Sequence, residues 1–286
     1  MTNPYVWNAV DPDLCYGRDS LLDDLCSGLA ESPRYSFGLA GGRRIGKTTL
    51  LRRVQRDLRS RLKEWRDGGV LVIPIYVDGL TLPRPLAEHD LWEVLFRELQ
   101  SALSDSSSDL IEPDYDTFKS AVSSLFRDLE QQPRVIVMFD EVEPMVVCEW
   151  ADAFLSHWRA LLSNTPGLSE YFTAVFAGAR ELDALRRDIG SPLKDVLEWR
   201  SLRCLTYEDA CRLMQEPIQQ QWERPFLEYV YRETGGHPML LQYVMQRVCQ
   251  HWPAAMRQLK LEQLVQETVE RFARERGWQF GEWWAR

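Results

Sequence analysis

The 286-residue chain has no apolar run that approaches the ~18 residues a membrane span needs, and no basic and apolar leader at its start. A cytoplasmic protein is therefore expected. Its six cysteines, Cys15, Cys26, Cys148, Cys204, Cys211 and Cys249, form no C-x-x-C pair. That argues against a zinc site or a disulfide frame and predicts reduced thiols. Positive charge is in deficit: the formal net charge is −9, which argues against a surface that coats nucleic acid throughout, while a local basic patch stays open. Arg52, Arg53, Arg56, Arg59, Arg61 and Lys63 could form such a patch, but the solvated face of a helix explains them more simply. No repeat period is visible. Apolar residues are plentiful, 45% of the chain, enough for one α/β domain with a smaller attachment.

The most specific pattern is Gly41-Gly42-Arg43-Arg44-Ile45-Gly46-Lys47-Thr48-Thr49. It fits the phosphate-binding loop G-x-x-x-x-G-K-[ST], preceded by a strand-like run over 35–40 and followed by an amphipathic helix. Glycines turn successive backbone N–H groups toward the phosphates at a helix N-terminus. Lys47 is then expected on the β and γ phosphates and the Thr48 hydroxyl on Mg²⁺. A nucleoside triphosphate is the predicted ligand.

A second pattern supplies acids. Residues 134–139 are apolar after Arg134 and end in Asp140-Glu141, a buried parallel strand with two carboxylates at its carboxyl end, where open α/β sheets place ligands. Asp140 is the candidate for the Mg²⁺ shell, through water, and Glu141 for the base that polarises the attacking water. The same pair could instead cap the next helix. Glu143 is a further acid nearby, ranked behind Glu141.

Strands are expected at 35–40, 69–78, 134–141, 171–178 and 198–205, alternating with helices that include 90–103, 115–129 and 151–162. Pro74 predicts an edge strand or a bulge. Residues 104–109 read as a polar, flexible stretch. Beyond 205 the pattern is helical only. The expected organisation is a nucleotide-binding domain, 1–205, with a parallel sheet and helices on both faces, then a small helical lid, 206–286. Asp78 and Glu88 read as surface or cap residues.

Taken together, these motifs resemble the STAND NTPases and their relatives among the archaeal-type and origin-recognition AAA+ ATPases. Asn3-Pro4-Tyr5 with Cys15-Tyr16-Gly17-Arg18-Asp19 looks like the family's F-x-G-R-x-x-x-L segment beside the adenine. The phosphate loop is similar to G-x-R-R-x-G-K-T-[TS]. Ala177-Gly178-Ala179-Arg180 resembles the sensor 1 position, and Gly235-Gly236-His237-Pro238 the G-x-P motif, whose proline packs on the base. The resemblance spans residues 3 to about 245 and implies an AAA+/STAND core. It also implies ATP rather than GTP, Mg²⁺, Arg180 near the γ-phosphate, and Tyr16, Gly17, Arg18 and Pro238 near the base.

Plainer readings stand beside these. Arg180 could cap a helix or pair with Glu181 or Asp183. The Gly-Gly-His-Pro run serves as a helix stop and restart, with His237 a turn residue. No arginine finger can be chosen among Arg186, Arg187, Arg200 and Arg203. The aromatic end, 277–286, suggests a docking surface, or folds back on the lid; a separate sensor or effector subunit, self-association and a longer parent chain all fit it. The expected function is an ATP-hydrolysing switch in prokaryotic signalling or defence. The alternatives are an ADP-locked scaffold with negligible turnover and an origin-recognition-like DNA-associated ATPase; a kinase fits least.

Overall fold

A computed structural model describes residues 3–31, 34–103, 113–251 and 258–277. The polar stretch 104–109 and the aromatic segment from Trp278 onward lie outside these residues. Along the chain come α1 (Asp19–Ala30), β1 (Ser36–Gly41), α2 (Lys47–Ser60), α3 (Leu62–Asp67), β2 (Val70–Asp78), α4 (Glu88–Leu103), α5 (Tyr115–Arg127), β3 (Gln132–Asp140) and α6 (Glu143–Val146). They are followed by α7 (Ala151–Ser163), β4 (Phe172–Gly178), α8 (Arg180–Arg187), β5 (Leu197–Leu202), α9 (Tyr207–Gln215), α10 (Arg224–Thr234), α11 (Pro238–His251) and α12 (Gln258–Arg276). Two compact units result: one of residues 21–41 and 54–201, the other of 1–20, 42–53 and 202–286.

The first unit is built on a five-stranded sheet of order β2-β3-β4-β1-β5. The pairs β1 with β4, β3 with β4 and β2 with β3 are parallel. Every residue of β4 is buried, which requires cover on both faces of the sheet. On one face Val135, Val137 and Phe139 of β3 and Phe172, Ala174 and Phe176 of β4 pack with Trp92 and Leu99 of α4, Phe118 of α5 and Phe154 and Trp158 of α7. The alternate residues face the other way, and there the Thr173 hydroxyl donates to the Leu29 carbonyl in α1 at 3.1 Å. Strand β2 lies at the sheet edge, as Pro74 requires, because a proline cannot donate to a second neighbour.

The second unit is helical. Leu213 and Met214 of α9, Phe226 and Val230 of α10, Leu241, Val244 and Met245 of α11 and Val265 of α12 share one core with Tyr5. Tyr5 is fully buried. Its hydroxyl donates to the Met214 carbonyl at 2.7 Å, and its own carbonyl accepts from Gln246 Nε2 at 2.8 Å, so the N-terminal segment is fastened to the helices. Strand β5 ends at Leu202, earlier than the expected 205, because the backbone beyond it is committed elsewhere. The Arg203 carbonyl accepts from the Arg18 guanidinium, and the Leu205 N–H donates to the Gly236 carbonyl at 2.9 Å.

Candidate nucleotide site

The phosphate loop has the backbone its glycines predict. Gly46 adopts φ +100° and Arg44 +57°, conformations that let consecutive N–H groups turn to one side at the start of α2. No acidic residue stands in the first turn of α2, so the positive end of the helix is left uncompensated for an anion. Lys47 is only 3% exposed. Its ammonium donates to the Gly42 carbonyl at 3.2 Å, which holds it within the loop, while Thr48 and Thr49 are partly buried beside it. Gly42 to Thr49 belong to the helical unit; Gly41 ends β1 in the sheet unit.

The acids stand at the carboxyl end of β3 in the sheet unit. Asp140 is 1% exposed. One of its oxygens accepts from the Tyr76 hydroxyl at 2.6 Å and the other from the Glu141 N–H at 3.0 Å. Glu141 follows in the left-handed region, φ +49°, a conformation that costs energy in a non-glycine residue and turns the chain sharply out of the strand. Neither acid caps the next helix: the N-cap of α6 is Val142, with no side-chain bond, so the capping alternative for this pair is excluded. Gly79, just past β2, donates its N–H to the Asp140 carbonyl at 2.9 Å. A Cβ at Gly79 would collide with the Glu141 carbonyl oxygen.

At the end of β4, Gly178 is buried and Arg180 is the exposed first residue of α8. The Val142 N–H donates to the Ala177 carbonyl at 3.1 Å, and the Glu143 carboxylate accepts the Ala179 N–H. The sheet unit thus gathers Asp140, Glu141, Glu143 and the Arg180 turn at one edge.

The helical unit gathers Tyr16, Gly17, Arg18, the loop from Gly42, and Pro238. Gly17 has φ +64°, and a Cβ there would lie 2.6 Å from Asp209, so glycine is required on both counts. The Tyr16 ring lies 5.7 Å from the Arg212 guanidinium. Burial lowers the pKa of the Arg18 guanidinium, whose end donates to the Arg203 carbonyl. Gly235 closes α10 in the left-handed conformation, φ +59°, and Pro238 opens α11, as the stop-and-restart reading predicts. His237 does more than turn the chain. Its imidazole bonds the backbone of Arg43 in the phosphate loop, and burial pushes its pKa down to about 4.

Tyr76, Gly79 and the bond of His237 were not legible from motifs. Val77-Asp78-Gly79 signals a turn, yet only the pairing of Asp78 with Asp140 shows which backbone it meets. Of the four finger candidates, Arg187 pairs with Asp183, Arg186 donates to the Ser201 hydroxyl at 3.1 Å and Arg200 pairs with Asp24 at 2.8 Å. In the basic stripe, Arg61 pairs with Glu31 at 3.0 Å while Arg56 and Arg59 are exposed. Asp78 caps its turn by accepting the Leu80 N–H at 2.9 Å, and Glu88 accepts from Trp92 Nε1 at 3.0 Å. None of the six cysteines, all of which are described, is joined in a disulfide. Among the described residues no group of three or more His, Cys, Asp or Glu could hold a metal. Asp140 in the sheet unit and the Thr48 hydroxyl in the helical unit are each, taken alone, oxygen donors of the kind a magnesium ion accepts.

Among the described residues no helix is long and apolar enough to cross a membrane. No curated protein matches the sequence. The ORC2 protein of Aeropyrum pernix, solved in ADPNP–ADP complexes, is similar at a TM-score of 0.62 and 15% identity, over 94% of this chain and 71% of that one. The ORC1 protein of the same organism, in complex with DNA, gives 0.61 and 16%, over 91% and 67%. The Walker-type ATPase PABY2304 of Pyrococcus abyssi gives 0.58 and 17%, over 97% and 79%. At these identities the likeness establishes the AAA+ fold of the chain. Residues 16–244 match a family described as an ATPase domain predominantly from Archaea, and the chain belongs to that family.

Proposed function

We propose that the chain is an ATP-dependent molecular switch of the STAND/AAA+ type. ATP with Mg²⁺ favours self-association or binding of a sensor or effector partner, and hydrolysis returns the chain to its ADP form. The observation that carries this reading is the phosphate loop, with Gly46 at φ +100°, Lys47 buried against Gly42 and an uncompensated helix start behind it. Lys47 binds the β and γ phosphates, while Thr48 and Asp140 would hold Mg²⁺, Asp140 through water. The metal, when bound, neutralises charge on the phosphates. Glu141 orients and polarises the water that attacks the γ-phosphorus; the bond to the β-phosphate oxygen breaks, leaving ADP and phosphate. Arg180 contacts the γ-phosphate, and Tyr16, Gly17, Arg18 and Pro238 receive the base. A difference in affinity between ATP and ADP states drives the change of partner. The setting in prokaryotic signalling or defence rests on family analogy.

The test is steady-state ATP hydrolysis by the wild-type chain, Lys47→Ala and Glu141→Gln, with nucleotide affinity measured separately. Both variants should lose turnover by about a hundredfold or more, Lys47→Ala with loss of binding and Glu141→Gln with binding retained. A wild-type chain that holds ADP without turnover, and is indistinguishable from Glu141→Gln, would instead be a nucleotide-locked scaffold. The likeness to an origin-recognition protein solved with DNA favours a second reading, a DNA-associated ATPase. Duplex binding that weakens steeply with salt would establish it.

A further inference from the structure

The geometry points to Glu143 as the positioning residue that ties the Asp140–Glu141 turn to the Arg180 turn and so fixes Arg180 relative to the base. This inference rests on the hydrolytic reading above, but its structural half can be tested without it.

Three observations meet at Glu143. First, one carboxylate oxygen, Oε1, accepts the N–H of Ala179. Ala179 is the N-cap of α8 and its own side chain cannot cap, so the orphan donor at this helix start is satisfied by the first residue of α6. Second, the approach is close. A Cβ on Gly178 would lie 2.8 Å from Val142 Cγ2, 2.9 Å from Leu182 Cβ and 3.1 Å from Glu143 Oε1, so the absent side chain at 178 is what lets the carboxylate reach Ala179. The Val142 N–H on the Ala177 carbonyl, 3.1 Å, makes a second link between the same two segments. Third, Oε2 of Glu143 is buried and has no hydrogen-bond partner among the described residues. A buried carboxylate oxygen with no donor destabilises the fold, so it is Oε1, the acceptor for Ala179, that accounts for the placement of this side chain.

The links are asymmetric in a useful way. Glu141 sits at φ +49°, so the acid turn is held in a costly conformation and depends on its surroundings. Glu143 is two residues on, and Arg180 directly follows Ala179. A shift of about 1 Å in either turn would misplace a group at the reacting phosphate, and misplacement on that scale can cost about a hundredfold in rate. What Glu143 supplies is an acceptor at a fixed position, a role that glutamine can also fill.

The experiment compares Glu143→Gln and Glu143→Ala with the wild-type chain by ATP hydrolysis, Mg·ATP affinity, thermal unfolding and amide hydrogen exchange over residues 179–182. We expect Glu143→Gln to keep kcat within about threefold and to unfold at a similar temperature, because its amide oxygen keeps the acceptor for the Ala179 N–H. We expect Glu143→Ala to lose about ten- to a hundredfold in kcat with nucleotide affinity and KM unchanged, and to exchange the Ala179 amide about tenfold faster. The inference is overturned if Glu143→Ala retains kcat, or if Glu143→Gln is as slow as Glu143→Ala, which would make the carboxylate charge itself act on the reaction. Parallel loss of nucleotide affinity and melting temperature in Glu143→Ala would reduce Glu143 to a structural residue. A wild-type chain without turnover contradicts the ATPase reading alone; the exchange of Ala179 in the two variants then still decides whether Glu143 holds this turn.

Discussion

At the scale of single residues, His237 makes the most direct link within the helical unit, because its imidazole bonds the Arg43 backbone in the phosphate loop while Leu205 bonds the adjacent Gly236. Burial holds its pKa near 4 against an ordinary 6.5. Below pH 6.5 the unfolded chain takes up a proton that the native imidazole refuses until about pH 4, so the unfolded state binds more protons and stability rises with pH across that window. The contribution is complete above pH 6.5 and is lost as pH falls through about 4, on the order of 3 kcal/mol in full. Urea unfolding from pH 7 to 4 should therefore weaken the wild-type chain more than His237→Gln. Parallel curves for the two proteins would show that His237 is not held neutral by the fold. Nothing in the motif Gly235-Gly236-His237-Pro238 announces this bond, since a glycine stop and a proline start account for the same four residues. Lys47 and Asp140 were legible because their chemistry fixes their neighbours in sequence. The partner of His237 lies almost two hundred positions away, and only folding brings it near.

At the scale of elements, the end of β2 holds the end of β3. Tyr76 and Gly79 both act on the acid turn, one through the Asp140 carboxylate and the other by leaving room for the Glu141 carbonyl. Gly79→Ala cannot keep that approach, so the acid turn must shift. We expect kcat to fall about tenfold or more with nucleotide affinity retained; single-turnover hydrolysis alongside equilibrium binding checks it, and an unchanged rate would show that Glu141 tolerates displacement. Strands β1 to β4 were readable from runs of apolar residues, because a strand buried in a covered sheet has little choice of side chain, whereas β5, with only its two end leucines buried, gave a weaker signal. Their ends were less so. Strand β5 stops at Leu202 because Arg18 and Gly236 claim the next backbone groups, and no local pattern encodes those distant competitors. The capping alternative for Asp140-Glu141 failed for a related reason. The left-handed Glu141 inserts a turn, so α6 starts at Glu143, beyond the reach of either acid.

At the scale of the whole molecule, the family match over residues 16–244 explains why dispersed motifs could be read together. Each of Tyr16-Gly17-Arg18, the phosphate loop, Asp140-Glu141, Arg180 and Pro238 is weak or ambiguous alone apart from the loop, but their order along the chain is that of one architecture. The purpose of the cycle is not written in those residues, since the same core can serve a switch, a scaffold or a DNA-associated enzyme. A switch differs from the others in one physical respect: the nucleotide must change what the chain binds, through unequal affinity for two states. The most direct measurement is multi-angle light scattering of purified Glu141→Gln in Mg·ATP and in Mg·ADP at equal protein concentration, with Lys47→Ala as the control that cannot respond. The switch predicts a larger mass in ATP than in ADP for Glu141→Gln and a single mass for Lys47→Ala. One mass for Glu141→Gln in both nucleotides, with binding of each verified, would contradict nucleotide-driven assembly.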